Sequence, residues 1–321
     1  MMRTWLWLGS AVLVSAGLYL ATVAGSVAAF LLTYLTPLPL FLLGLSLGGR
    51  LSGLAGAVAA MLVAGAAGPQ AALMYLGFCG IPVAVLCELA ERRYPGSGGP
   101  GTDWYPPGRL CVWLALMPLV LFLLVTLYVS ATGGSLEQLI ADEIRALMAQ
   151  YREILGQAGD GTPVADTEQF AFLESLFARI APGLLASLWM SLTAINGVMA
   201  QSLLVRRGSA IRPAPGMGDI ELPRRFVVAF AVAVLLGMTL DGPLGFIGVN
   251  AAVILAFPLL LSGLGVAHVL AARTGLRVVL LFFLYLVLAV TRWGAVVMIA
   301  IGLIDHFAGL KKRLRGQSPS V

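Results

Sequence analysis

Residues 244–271 read LGFIGVNAAVILAFPLLLSGLGVAHVLA, 28 positions without one Asp, Glu, Lys or Arg, between Asp241 and Arg273. As a helix this run is about 42 Å long, more than the ~30 Å hydrocarbon core of a bilayer. Lipid offers no partner to backbone N–H and C=O groups, so a chain in it must close its own hydrogen bonds as a helix. Comparable runs recur near 4–23, 26–48, 51–67, 70–90, 109–130, 172–205, 225–241, 276–290 and 293–310. Hydrophobic residues make up 60% of the 321 positions and charged ones 11%, against roughly 45–50% and 25% in soluble proteins. The fold class is therefore all-α: a polytopic helical membrane protein of about ten transmembrane helices (range 8–10).

The basic residues orient it. Connections on one side carry Arg3, Arg50, Arg92, Arg93, Arg109, Arg206, Arg207, Arg212, Arg224, Arg225, Arg273, Arg277, Lys311, Lys312, Arg313 and Arg315; the other side has Arg145, Arg152, Arg179 and Arg292. Basic residues near span ends stay in the cytoplasm, so both termini are expected there. The net charge of +5 is spread along a membrane face and meets lipid headgroups, not nucleic acid. Cys79, Cys87 and Cys111 lie in or beside spans, which leaves no disulfide framework and no recognisable metal spacing. No metal or cofactor is expected. The small-residue string at 21–29 resembles a signal-peptide cleavage site, but the charge parity needs the first span, and an uncleaved helix is expected.

The organisation reads as a four-span part, 1–90, a Gly/Pro-rich cytoplasmic linker, 91–108, a six-span part, 109–310, with an outer loop 131–171, and a basic tail, 311–321, read as a topological anchor. In the outer loop Ser135 and Gln138 form a capping box. Leu136, Ile140, Ile144, Leu147, Tyr151 and Leu155 then recur at helical spacing, which predicts an amphipathic outer-surface helix near 136–155.

Small residues fall every four positions through Gly44, Gly48, Ser52, Gly56, Ala60 and Ala64. Such a stripe is a close-packing face, either for neighbouring spans or for a separate membrane subunit. Gly44, Gly48, Gly56 and Ala60 are the candidate docking face. Just before them Thr36-Pro37-Leu38-Pro39 interrupts the second span, tolerable only where protein or a wet cavity re-satisfies the carbonyls that prolines orphan.

Few polar groups enter the bilayer. Asn196, Asn250, His268 and Asp305 are the candidate cavity or ligand-lining residues, with interhelical hydrogen bonding as the competing role. Catalytic signatures are absent apart from Gly44-Leu-Ser-Leu-Gly48, a G-x-S-x-G string lying inside a span instead of at a strand–helix turn. No P-loop occurs. The chain reads as no enzyme.

The stretch Tyr34-Leu-Thr-Pro-Leu-Pro-Leu-Phe-Leu-Leu-Gly44, with Gly248-Val249-Asn250, Gly263-Leu-Gly-Val-Ala-His268 and Gly302-Leu-Ile-Asp305, resembles the YybS-like family of bacterial multi-pass membrane proteins. That family is distantly similar to the substrate-binding membrane subunits of energy-coupling-factor transporters. The resemblance implies a bacterial inner-membrane location and gives weight to Asn250, His268 and Asp305. The expected partners are the lipid bilayer, a small-molecule ligand and a membrane or ATPase subunit. The functional expectation is a small-solute binding or transport component, with a membrane scaffold as the alternative and an intramembrane enzyme third.

Overall fold

The computed structural model describes residues 2–21, 27–93, 104–158 and 167–316. The center of the small-residue string (22–26), most of the Gly/Pro linker (94–103) and the end of the tail (317–321) lie outside the described residues. The helices are α1 (Met2–Leu20), α2 (Val27–Thr33), α3 (Pro37–Leu47), α4 (Gly49–Ala67), α5 (Pro69–Tyr75), α6 (Ile81–Ala90), α7 (Pro107–Ala131), α8 (Leu136–Ala158), α9 (Thr167–Arg206), α10 (Arg224–Thr239), α11 (Gly242–Ala272), α12 (Arg277–Val290), α13 (Arg292–Ala308) and α14 (Leu310–Leu314). Among the described residues the only β pairing is an isolated bridge between Arg93 and Trp104.

Among the described residues, five helical stretches are long and apolar enough to cross a membrane: Gly49–Ala67, Pro69–Ala90, Pro107–Ala131, Ala171–Arg206 and Gly242–Ala272. The bent pair Arg277–Val290 and Trp293–Ala308 makes a sixth if taken as one span. The other apolar runs form shorter helices. The run near 26–48 is split into α2 and α3 at the proline pair, and that near 225–241 is the 16-residue α10.

The chain packs as two compact units. The first comprises Met1–Leu114, Trp189–Leu222 and Leu260–Val321; the second comprises Ala115–Leu188 and Pro223–Leu259. Residues on both sides of the linker belong to the first unit.

In the first unit α1, α3, α4 and α6 pack on one another, and the small residues explain how. A Cβ at Gly44 would sit 2.8 Å from the Cys87 Cβ, and one at Gly49 would sit 2.5 Å from the Glu88 Cα. One at Gly56 would lie 3.2 Å from the Gly80 Cα, and Ala60 is buried. Gly48, at φ +117°, makes the sharp turn from α3 to α4 and leaves Glu91 Oε2 3.7 Å from where its Cβ would be. Gly44 and Gly56 of the stripe thus pack within the chain, the neighbouring-span role that the sequence also allowed. Close backbone approach is the gain that small residues offer in lipid, and here α3, α4 and α6 take it.

The second unit shows the same device at Gly237 and Gly248, where a Cβ on Gly237 would meet Val249 N at 2.8 Å. It also holds the amphipathic helix. Gln138 N donates to Ser135 Oγ at 3.4 Å to start α8, and Arg145 pairs with Asp142 and Glu174. Leu139, Leu147, Tyr151 and Ile154 remain exposed on it.

Candidate functional site

Proline removes a backbone donor and opens the helix one turn earlier. In this chain each of three such openings is met by a side chain from elsewhere. The first is the break between α2 and α3. Pro37 and Pro39 offer no N–H, and Leu38 N turns to Leu35 O at 3.0 Å. Tyr34 O then accepts from Asn196 Nδ2 at 2.8 Å, and Thr36 O accepts from Ser15 Oγ at 2.9 Å. Ser15 also shares a 2.7 Å hydrogen bond with Tyr75 Oη. Asn196 Nδ2 makes a second bond to Leu192 O at 2.8 Å. Two carbonyl acceptors fix which end of the amide is nitrogen, so Oδ1 must face the other way. There it finds nothing: Asn196 Oδ1 is buried without a partner, and so is the Thr36 hydroxyl. Thr36 is 1% exposed and Asn196 2%.

The second opening is the π turn Leu76–Gly80. Phe78 O would bond residue 82 in a regular helix, but Pro82 has no donor; Trp189 Nε1 supplies one at 2.9 Å. Both openings belong to the first unit.

The third opening lies in the second unit, at Pro182 in α9. The Asn250 amide bridges the next rung, between Gly183 N and Arg179 O. Gly183 N donates to Oδ1 at 2.8 Å, while Nδ2 donates to Arg179 O and Phe246 O, each at 2.9 Å. Asn250 is fully buried and fully occupied. Gly183 is required for this approach, since its Cβ would stand 2.8 Å from the Val253 Cβ.

His268 and Asp305 are in the first unit, apart from this chemistry. His268 Nδ1 bonds Leu264 O at 2.9 Å, and Nε2 is 3.5 Å from Tyr285 Oη. Asp305 is 7% exposed and is held by Lys311: Oδ2 lies 3.0 Å from Nζ, and Oδ1 accepts from Lys311 N at 2.8 Å. Lys311 Nζ also donates to Ser262 Oγ at 3.0 Å and to Ile220 O, so its three protons have three acceptors. Lys312 pairs with Glu221 at 3.5 Å and Arg315 with Asp219 at 2.9 Å. The start of the tail, read from sequence as a topological anchor, is bound to residues 219–221. Among the four candidate residues, no two are joined by a hydrogen bond or ion pair in the described structure.

Sequence reasoning did not single out Thr36, Ser15, Trp189 or Lys311, and it missed two charged groups. Arg212 is 6% exposed; its guanidinium donates to Ala90 O and Tyr105 O at 3.0 and 3.3 Å, and its Nε has no partner. Burial draws its pKa below the usual value. Glu91 accepts from Gly49 N at 3.2 Å through Oε2, while Oε1 is buried and unpartnered. Burial lifts this carboxyl above the ordinary glutamate value; the Gly49 bond opposes the rise and Glu88 adds to it. The Ser46 hydroxyl of the G-x-S-x-G string back-bonds to Leu42 O at 2.6 Å. Among the described residues no three His, Cys, Asp or Glu side chains group as metal ligands.

A family model described as "Predicted membrane protein (DUF2232)" matches residues 10–306. No curated protein and no solved structure matches the chain significantly.

Proposed function

The chain belongs to this DUF2232 family of predicted membrane proteins, and from that premise we propose that it binds a small polar solute at the broken second span. One observation carries the reading. At the opened backbone between α2 and α3, two polar atoms from different helices, Thr36 Oγ1 and Asn196 Oδ1, are buried with nothing to bond. Orphaned buried polar atoms are rare, and each costs about 1–3 kcal/mol, which a bound group would recover. Asn196 Oδ1 only accepts and the Thr36 hydroxyl does either, so the solute presents N–H or O–H donors: an amine, amide or polyol. The resemblance to the YybS-like family, and through it to energy-coupling-factor substrate-binding subunits, supports the same reading. Active transport would then draw on a separate ATPase subunit, because the sequence holds no P-loop.

The test is a thermal-stability screen of the detergent-purified protein against amines, amides and polyols. A solute at 100 times its Kd stabilises by about 2.7 kcal/mol. Its effect should vanish in Thr36→Val and in Asn196→Leu, each checked to be folded. If nothing in the panel stabilises, or a stabiliser acts equally on both variants, the two atoms hold water alone and the reading fails. The ten-pass arrangement with both termini cytoplasmic goes with this proposal. Reporters active only outside the cytoplasm should respond near residue 150 and stay silent after 316.

A second reading, a membrane scaffold, is favoured by the exposed Leu139, Leu147, Tyr151 and Ile154 of α8. It expects a membrane protein to co-purify with the wild type and to be lost when these four become Ser.

A further inference from the structure

A groove of about 450 Å³ lies on the first unit, lined by Gly49, Arg50 and Gly53 of α4, Ala84, Val85, Glu88 and Leu89 of α6, Arg92, and Trp113 of α7. Its volume falls within the roughly 300–1,000 Å³ of small-ligand sites. The close approaches of the glycines give its levels. Gly49 stands beside Glu88, Gly53 beside Ala84 and Gly56 beside Gly80, so α4 and α6 run antiparallel. At the level of Gly53 and Ala84 the walls have almost no side chain: a Cβ on Gly53 would meet the Ala84 Cβ only at 3.5 Å. One helical turn away, about 5.4 Å, the lining becomes Arg50, Glu88 and Arg92.

The charge at this mouth is unbalanced. Glu88 reaches Arg92 at 4.0 Å, and no ion pair involves Arg50 among the described residues. Two guanidiniums and the Glu88 carboxylate line the mouth; the neighbouring Glu91 carboxyl, bonded to Gly49 N, is disposed by burial to keep its proton. Trp113, 41% exposed, is steadied by an Nε1 bond to Tyr105 Oη at 3.1 Å. An indole on the apolar side of a basic mouth is the lining of a membrane–water boundary.

We propose that this groove is a binding site for one anionic phospholipid. Arg50 and Arg92 take the phosphodiester, and the first acyl methylenes lie in the Gly53–Ala84–Val85 notch against Trp113. The net positive mouth selects an anionic headgroup over a zwitterionic one, and the apolar notch one turn away selects a lipid over a free phosphate. The site does not depend on the solute-binding reading, which concerns Thr36 and Asn196.

The experiment uses the full chain in mild detergent, with acyl-brominated phosphatidylglycerol or phosphatidylcholine added, and follows tryptophan quenching. The signal of Trp113 is the wild type minus Trp113→Phe. Phosphatidylglycerol should quench it at a lower lipid fraction than phosphatidylcholine. Arg50→Gln with Arg92→Gln should weaken the phosphatidylglycerol effect roughly tenfold or more, at about one unit of headgroup attraction per basic residue. Gly53→Leu should abolish it by filling the notch; should that variant not fold, Val85→Phe fills the same space without adding an indole. Equal quenching by the two lipids overturns the proposal, as does unchanged quenching in the filled-notch variant. Soluble glycerol phosphate that displaces no lipid supports it; glycerol phosphate that stabilises the protein as well as phosphatidylglycerol does would make this a phosphate site and overturn it.

Discussion

Asn196 in the first unit and Asn250 in the second are both buried amides beside a proline-opened helix, and they end in opposite states. Asn250 gives one acceptor and two donor bonds to backbone, bridging Gly183 and Arg179 beside Pro182. Asn196 gives its donors to Tyr34 O and Leu192 O and keeps an empty acceptor. A closed amide holds a kink in place. An amide with a spare oxygen, at a break that also holds a spare hydroxyl, is where a ligand has something to gain.

If that contrast is right, committed polar groups should be expensive to remove and uncommitted ones cheap. The top of the scale is the Lys311–Asp305 pair, in which both side chains are buried. Lys311→Ala should cost about 3–5 kcal/mol by stranding a buried carboxylate, measured by denaturation in detergent. Lys311→Met with Asp305→Asn should recover much of that loss; a single-variant loss below about 1 kcal/mol would show the pair is wet. Next comes Asn250→Leu, which removes three buried bonds to backbone and should cost about 2–3 kcal/mol. Asn196→Leu should cost about 1 kcal/mol, the usual scale of interhelical polar contacts. The reverse order for the two asparagines would break the comparison.

A smaller effect concerns pH. Native Glu91 holds its proton more tightly than the unfolded chain does, because burial raises its pKa. Its stabilising contribution is complete below the ordinary glutamate pKa and is lost as pH climbs through the raised native value. Glu91→Gln should therefore flatten the stability profile from the ordinary glutamate range upward, read as Tm against pH; an unchanged slope would mean the carboxyl is solvated. The smallest effect belongs to Thr36→Val. Removing a hydroxyl that bonds nothing should leave Tm unchanged or raise it slightly, and a loss above about 1 kcal/mol would mean that Thr36 Oγ1 has a partner.

Much of this was legible in the chain. Long uncharged runs declare a helical membrane protein, Pro37 and Pro39 mark the break, and Ser135 with the three-four spacing marks α8. The polar interior was legible as a list, Asn196, Asn250, His268 and Asp305, but not as partners. Asn250 bonds only backbone atoms, and every residue has the same backbone, so no spacing announces Gly183 and Arg179. Lys311 was hidden for a different reason. A Lys–Lys–Arg run after a span reads as a topological anchor, and only folding brings Ile220, Ser262 and Asp305 around one of its members. The small-residue stripe was read correctly as a packing face, but its own α6 supplies the partner helix, which a one-dimensional pattern does not say.

The Lys311 cluster bears on how the chain is made. Synthesis runs from the N-terminus, so Ile220, Ser262 and Asp305 all leave the ribosome before the ammonium that joins them. Until then the Asp305 carboxylate at the end of α13 lacks its ammonium, and residues 219–221 lack the tail's polar contacts, though Glu221 lies close against Gly108. The polar contacts of this cluster are therefore among the last that the first unit can form. Pairing of Asp305 waits for a residue six positions beyond it, so a chain halted before Lys311 would leave that buried carboxylate without its cation.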